Sequence, residues 1–405
     1  MFHVFNNLAK EVYCLFFSRM CSLNSLRPLC VLMGALLLVS FQSCQKNDTK
    51  NVESTAHIRI GVFQSLSGAE ASFGQDAIKG IRLAEEQINQ RGGVLSHPIE
   101  LLIRDNQSKP GETSSIVKEL ISRDHVVALI GEVASGRTLE AAPIAQRYGI
   151  PLVANSASNE KVTRTGNFIF RISYQDSQQG EVLARYVHSI GKSRAAILVD
   201  VSKDNSTAIA RSFKKRFEEL GGKVVMEQSY NVGDKDFLAQ LTAIRNSGAD
   251  CLLLPGYYTD CASIMKQAQS LELDLPMFGG DGWDSEDLIR VAGNAAEGAI
   301  FTNTFSAEDP QPAVQKFVAD YQKEYKTKPM ALAATGFDAL MLVADAIQRA
   351  GTTDPKAIRD ALAATNGYQG VSGQITFDHE RDPSKSMVLL RIQQREFKFI
   401  KRENP

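Results

Sequence analysis

Very little in this chain offers reactive chemistry. Of its six cysteines, Cys14, Cys21, Cys30 and Cys44 lie in the first 44 residues, leaving only Cys251 and Cys261 in the body. No CxxC pair or His/Cys cluster is present to hold a metal ion. Histidines 57, 97, 125, 188 and 379 are scattered, and neither a GxSxG elbow nor a paired-carboxylate motif occurs. GxGxxG and GxxxxGK[ST] are missing too, which removes support for nucleotide binding. Charge of one sign is also lacking: 45 basic against 46 acidic side chains leave a net charge of −1, with no basic excess for nucleic acid and no acidic tail. There is a single tryptophan, Trp283. What remains describes an ordinary soluble globule, long enough for about two to three domains.

The N-terminus differs from the rest. Leu29 to Phe41 is an uncharged apolar run behind Arg19 and Arg27. It is shorter than the roughly 20 residues a spanning helix needs and suits the core of a signal peptide. Ser43-Cys44 at its end resembles a bacterial lipobox, although Phe41 and Gln42 depart from the usual residues there. Residues 1–44 are therefore expected to be a leader, with Cys44 lipidated and the new N-terminus. Met20 would give a leader of more ordinary length. Residues 45–56, rich in Lys, Asn, Ser and Thr, read as a flexible tether.

Beyond the tether, short apolar runs alternate with amphipathic stretches. Ile78, Ile81, Leu83, Ala84 and Ile88 share a helical face that Gly92-Gly93 terminates. Strands are predicted near 58–63, 99–104, 126–130 and 152–154, with Pro110 opening a helix between the second and third. A second set is predicted near 195–199, 223–228, 251–254 and 277–279, separated by helices at 206–220, 237–247 and 261–270. Alternation of this kind specifies parallel sheets with right-handed crossovers, and its repetition suggests two doubly wound α/β lobes. Cys251 opens a predicted strand and Cys261 the following helix, so both are expected to be buried and unpaired.

Polar clusters follow several of these strands, where open α/β sheets place ligands. Ser135 stands at a helix start, either as a cap or, with the free N–H groups there, as part of an anion site. Asn155 to Asn159 reads as a loop or a binding segment. Asp281, between two glycines, is a turn residue or a buried acid. Trp283 beside it would be core or cleft wall.

The order of motifs resembles the periplasmic leucine/isoleucine/valine-binding protein family, the type I solute-binding proteins of ABC importers. It is carried by Gln64-Ser65-Leu66-Ser67-Gly68, Gly80…Leu83-Ala84…Ile88-Asn89…Gly92-Gly93, Asp105-Asn106-Gln107, Gly131…Ala134-Ser135, Gly149-Ile150-Pro151, Phe170-Arg171…Asp176…Gln179-Gly180 and Gly373 to Asp378. The resemblance runs from about Ile58 to the C-terminus. It implies three crossings between the lobes, near 171–174, 302–304 and 376–378. Lobe I would then be 57–172 plus 304–376, and lobe II 173–303 plus 377–405. A helix over 333–350 would pack back on lobe I.

The same resemblance implies a clamp for an α-amino acid. Ser135 would meet its carboxylate, Ser156, Ala157 and Ser158 its carboxylate and ammonium, and Asp281 its ammonium. Tyr257, Phe73 and Trp283 would wall the cleft. Asn205-Ser206 stands where the family has Tyr-Gly, which alters the side-chain pocket at Asn205. The implied protein performs no catalysis and needs no cofactor. It would be an exported, lipid-anchored monomer that delivers a small solute to permease subunits, without nucleic acid. The alternative on the same fold is a ligand-sensing receptor with a separate signalling partner.

Overall fold

The computed structural model describes residues 57–404. The leader, Cys44 and the tether lie outside them.

Lobe I is built on a five-stranded parallel sheet. Its strands are β1 (Ile58–Gln64), β2 (Ile99–Asp105), β3 (Ala128–Ile130), β4 (Leu152–Ala154) and β5 (Ile169–Arg171), in the order β2-β1-β3-β4-β5. The connecting helices are α1 (Ala71–Gln90), α2 (Glu112–Ser122), α3 (Ser135–Tyr148) and the short α4 (Lys161–Arg164). Helix α2 begins after Gly111, two residues later than Pro110 suggested; Gly111 takes a left-handed conformation there.

Lobe II carries α5 (Asp176–Ser189), β6 (Arg194–Asp200), α6 (Asp204–Glu219), β7 (Lys223–Tyr230) and α7 (Leu238–Arg245). After these come β8 (Cys251–Leu253), α8 (Tyr258–Ser270), β9 (Met277–Gly279), a 3-10 turn at Asp281–Trp283, α9 (Glu286–Ala292) and β10 (Ile300–Asn303). The chain then returns to lobe I as α10 (Pro312–Tyr325), α11 (Ala331–Ala350), α12 (Pro355–Ala363) and the small hairpin of β11 (Tyr368–Gly370) and β12 (Gly373–Ile375). It finishes in lobe II with β13 (Met387–Gln393) and β14 (Glu396–Glu403).

The second sheet has seven strands in the order β14-β13-β10-β9-β8-β6-β7. It is mixed rather than wholly parallel: β13 runs antiparallel to β10 and β14 antiparallel to β13. Three of its strands, β10, β13 and β14, were not expected. In each sheet the strand order reverses beside the first strand, between β1 and β3 and between β6 and β8. Such a reversal opens a crevice at the strand C-termini.

Helix α11 is the apolar spine of lobe I, with Phe337, Leu340, Val343 and Ile347 buried against the sheet and α1. The two helices approach through paired glycines. A Cβ on Gly80 would fall 1.8 Å from the Ala333 carbonyl oxygen, and one on Gly336 would fall 2.6 Å from that of Ala77. Cys251 and Cys261 are buried and unpaired, as expected.

The crossings are short. β5 ends at Arg171, and Tyr174 already belongs to the lobe II core. Asn303 ends β10, and Phe305 packs in lobe I. The third crossing falls later than 376–378. Phe377 packs on Phe170 with centroids 5.4 Å apart, Asp382 pairs with the buried Arg171, and Lys385 donates to the Ile172 carbonyl at 3.2 Å. Residues 377–385 therefore stay with lobe I, because these polar anchors leave the chain free only just before Met387.

Candidate functional site

Loops from the C-terminal ends of β3 and β4 in lobe I face those from β6, β8 and β9 in lobe II. Ser135 is the first residue of α3 rather than its cap; Ala134 occupies the cap position and offers no side chain to the helix N–H groups. The start of α3 is thus an uncapped positive helix end, suited to an anion. The Ser135 hydroxyl accepts the Asn159 N–H at 3.2 Å, fixing the β4 loop beside it. In that loop Ser156, Ala157 and Ser158 are all buried. The Ala157 N–H donates to the Glu132 carbonyl at 3.3 Å, and the Ser158 carbonyl accepts the Asp176 N–H at 2.9 Å.

Asp281 opens the 3-10 turn after β9. Its carboxylate accepts from Gln179 Nε2 at 3.1 Å, while its own N–H donates to Gln179 Oε1 at 3.0 Å. Thr302 also donates to that oxygen, at 2.8 Å. Gln179, from α5, is therefore the positioning residue for the acid. Sequence reading noted it only as part of a motif. Burial pushes the Asp281 carboxyl up to about 6, against the opposing Gln179 hydrogen bond. Nearby Asp176 is raised well above its ordinary value, by burial first and then by the Asp281 charge.

Tyr257 occupies the cap position of α8 and is buried. Phe73, from α1, meets it edge-on with centroids 5.4 Å apart, and meets Tyr258 at 4.9 Å. This aromatic cluster spans the two lobes. Asn205 lies in the first turn of α6, also buried. Ser135, Tyr257 and Asn205 share a cavity of about 190 Å³ with Arg137 and Lys203.

Trp283 does not wall this cleft. It is fully buried, its ring lying against Gly279 and 6.0 Å from the Phe301 centroid. The 3-10 turn that sets Asp281 against Gln179 turns the indole into the lobe II core.

A charged network beside the clamp was not legible from spacing. Glu132 accepts from the Ser65 N–H and hydroxyl at 3.1 and 2.6 Å and from Arg137 Nε at 2.8 Å. The Arg137 guanidinium also pairs with Glu70, whose other oxygen is 2.6 Å from the Lys203 ammonium of lobe II. Burial pushes Glu132 up to about 7, and lowers both Arg137 and Lys203. Lys203 also stands 4.9 Å over the Tyr257 ring. Among the described residues, no group of acidic, histidine or cysteine side chains could hold a metal ion.

Comparison with known proteins matches this arrangement to one family. A family model for periplasmic binding proteins matches residues 57–396. A leucine-, isoleucine-, valine-, threonine- and alanine-binding protein of Pseudomonas aeruginosa is 28% identical over 328 residues, covering 80% of this chain and 87% of its own. A solved leucine-binding protein from Thermotoga maritima is 33% identical with a TM-score of 0.82, covering 86% of this chain and 99% of its own. The substrate-binding protein of a branched-chain amino acid transporter from Streptococcus pneumoniae, solved with isoleucine, is 30% identical with the same TM-score and the same coverage. Members of this family bind solutes for transport and are not enzymes, and two lobes closing on an unreactive cleft are what that task requires. The chain belongs to the periplasmic binding protein family.

Proposed function

We propose that this protein is the substrate-binding lipoprotein of an ABC importer. It captures an α-amino acid, branched-chain or related, between its lobes and delivers it to a permease. The reading is supported by an anion site at a strand end of lobe I and a buried acid at a strand end of lobe II. Ser135 on the uncapped start of α3 offers donors to a carboxylate, and Asp281, held by Gln179, offers an acceptor to an ammonium. A zwitterion satisfies both, and charge-assisted hydrogen bonds are strongest where water is excluded. The leucine- and isoleucine-binding relatives support the same class. A benzoate-bound solute-binding protein of R. palustris, 22% identical with a TM-score of 0.79, shares the fold alone.

A thermal-shift panel of amino acids, amides, sugars and nucleotides tests the reading, together with mass spectrometry of ligand released on denaturation. Stabilisation by α-amino acids is expected; stabilisation only by sugars or nucleotides would sink it. We further propose a monomer on the extracytoplasmic face, anchored through lipid on Cys44. Cys44→Ser should then leave folding intact and move the protein from the membrane fraction to the soluble one, since the polar tether holds nothing that binds a bilayer. A variant that stays membrane-bound after a salt wash excludes Cys44 as the anchor.

A further inference from the structure

We infer that the side-chain end of the cleft selects an amino acid whose side chain ends in a neutral carboxamide, over the branched aliphatic ones. This rests on the α-amino-acid reading above.

Ser135 lines the cavity of about 190 Å³, so a ligand carboxylate held there has the rest of the lining within reach of its side chain. That lining is polar. Arg137, Lys203, Asn205 and Ser202 contribute to it, with Tyr257 and Ala134 supplying apolar surface. Asn205 is buried and brings an amide with both donor and acceptor capacity. Arg137 uses Nε on Glu132 and one terminal nitrogen on Glu70, and Lys203 uses one contact on Glu70. Both cations carry more N–H groups than these contacts consume. An acceptor oxygen on the ligand would meet those donors. An aliphatic branch would exclude water from them and return no hydrogen bond, which is costly in a buried site.

A full negative charge fits less well. Glu70 and Glu132 already neutralise the two cations, and Asp200 and Asp260 also face Lys203. Glu140 and Asp204 line the cavity too, both engaged elsewhere: Glu140 accepts the Gly111 N–H at 3.0 Å and Asp204 pairs with Lys161 at 3.0 Å. A carboxamide supplies an oxygen for Lys203 or Arg137 and an N–H₂ for the spare lone pairs of the lining acids Glu140 and Asp204. It therefore matches both signs of the wall without adding charge.

Calorimetry on the mature chain with glutamine, asparagine, glutamate, aspartate, leucine, isoleucine and valine decides the matter. Glutamine or asparagine should bind at least about tenfold tighter than leucine, because a site with buried hydrogen-bonding groups rejects ligands that leave them unpaired. In Asn205→Leu and Lys203→Met the ratio of carboxamide to leucine affinity should fall by about tenfold. Impaired closure would weaken all ligands alike and leave that ratio unmoved, so an unmoved ratio in both variants overturns the assignment. Tightest binding by leucine, isoleucine or valine overturns the inference and leaves the amino-acid reading standing, as does tightest binding by glutamate or aspartate. If no amino acid binds, the proposed function itself fails.

Discussion

Asp281 and Ser135 carry unequal shares of the proposed clamp. The carboxylate of Asp281 is the charged partner of a ligand ammonium in a dehydrated site, and Asp281→Ala should cost about 2–5 kcal/mol of affinity. Ser135→Ala removes one hydroxyl while the backbone N–H groups of the α3 start remain, so about 1–2 kcal/mol is expected. Calorimetry on the two variants settles the ranking; near-normal binding by Asp281→Ala would reduce the acid to a turn residue. The raised Asp281 value adds a pH dependence with a definite sign. Below about 6 the free carboxyl is protonated and must release its proton before it can pair with an ammonium. Affinity should be level at pH 7–8 and weaken as pH falls through 6, approaching tenfold per unit below it. The unliganded fold has the opposite sign. Asp281 and Glu132 hold their protons more tightly folded than unfolded, so their contribution to stability is full in acid and is lost as pH rises through 6 to 7. Titrations at several pH values, repeated on Asp281→Asn, check the first claim, since the variant should lose the acid limb.

At the scale of elements, the α1–α11 contact is the tightest joint in lobe I. Gly80→Ala would press a methyl group onto the Ala333 backbone, which cannot move aside as a flexible side chain would. Overpacking of this kind costs about 1–3 kcal/mol, more than the gain in helix propensity returns. Urea denaturation should show a lower midpoint at unchanged slope, and an unchanged midpoint would mean the helices slide apart freely. The helix α1 itself was legible, because its buried face repeats at helical spacing. The strands β1 to β4 and β6 to β9 were legible as apolar runs between such helices. Others were not. β5 and β10 run straight into the crossings read at 171–174 and 302–304, so their short buried runs read as hinge rather than strand. The hairpin of β13 and β14 turns through Gln394 and Arg395, both at positive φ, without the Gly or Asn that signals such a turn. In the site, Ser135, Tyr257 and Asp281 stood out because each follows a predicted strand, and Ser135 and Tyr257 line one cavity. The Glu132–Arg137–Glu70–Lys203 network could not, since Lys203 lies 133 residues from Glu70 in the chain and only the packing of two lobes joins them.

For the whole molecule, two lobes, each built on its own sheet, are joined by three short crossings and touch along the cleft. Their contacts there combine the Phe73–Tyr257–Tyr258 aromatic cluster with several polar pairs. Lys203 meets Glu70, Lys161 meets Asp204 at 3.0 Å, the Ser72 and Ser285 hydroxyls lie 2.8 Å apart, and the Tyr258 hydroxyl donates to the Ala69 carbonyl at 3.1 Å. Surface pairs of this kind stabilise contact only weakly, and the bridge through Glu70 requires two desolvated cations to share one acid. With a single aromatic cluster beside them, such contacts leave room for an equilibrium between open and closed arrangements. A ligand that bonds Ser135 on one lobe and Asp281 on the other binds only when both are close, and so shifts that equilibrium toward the closed form. Small-angle scattering should therefore show a smaller radius of gyration with saturating amino acid than without. Asp281→Ala should keep the larger radius at ligand concentrations that compact the wild type, because its ligand would be held by lobe I alone. An unchanged wild-type radius at saturation would mean that the aromatic and polar contacts suffice to hold the lobes shut, and that binding proceeds through a path other than hinge closure.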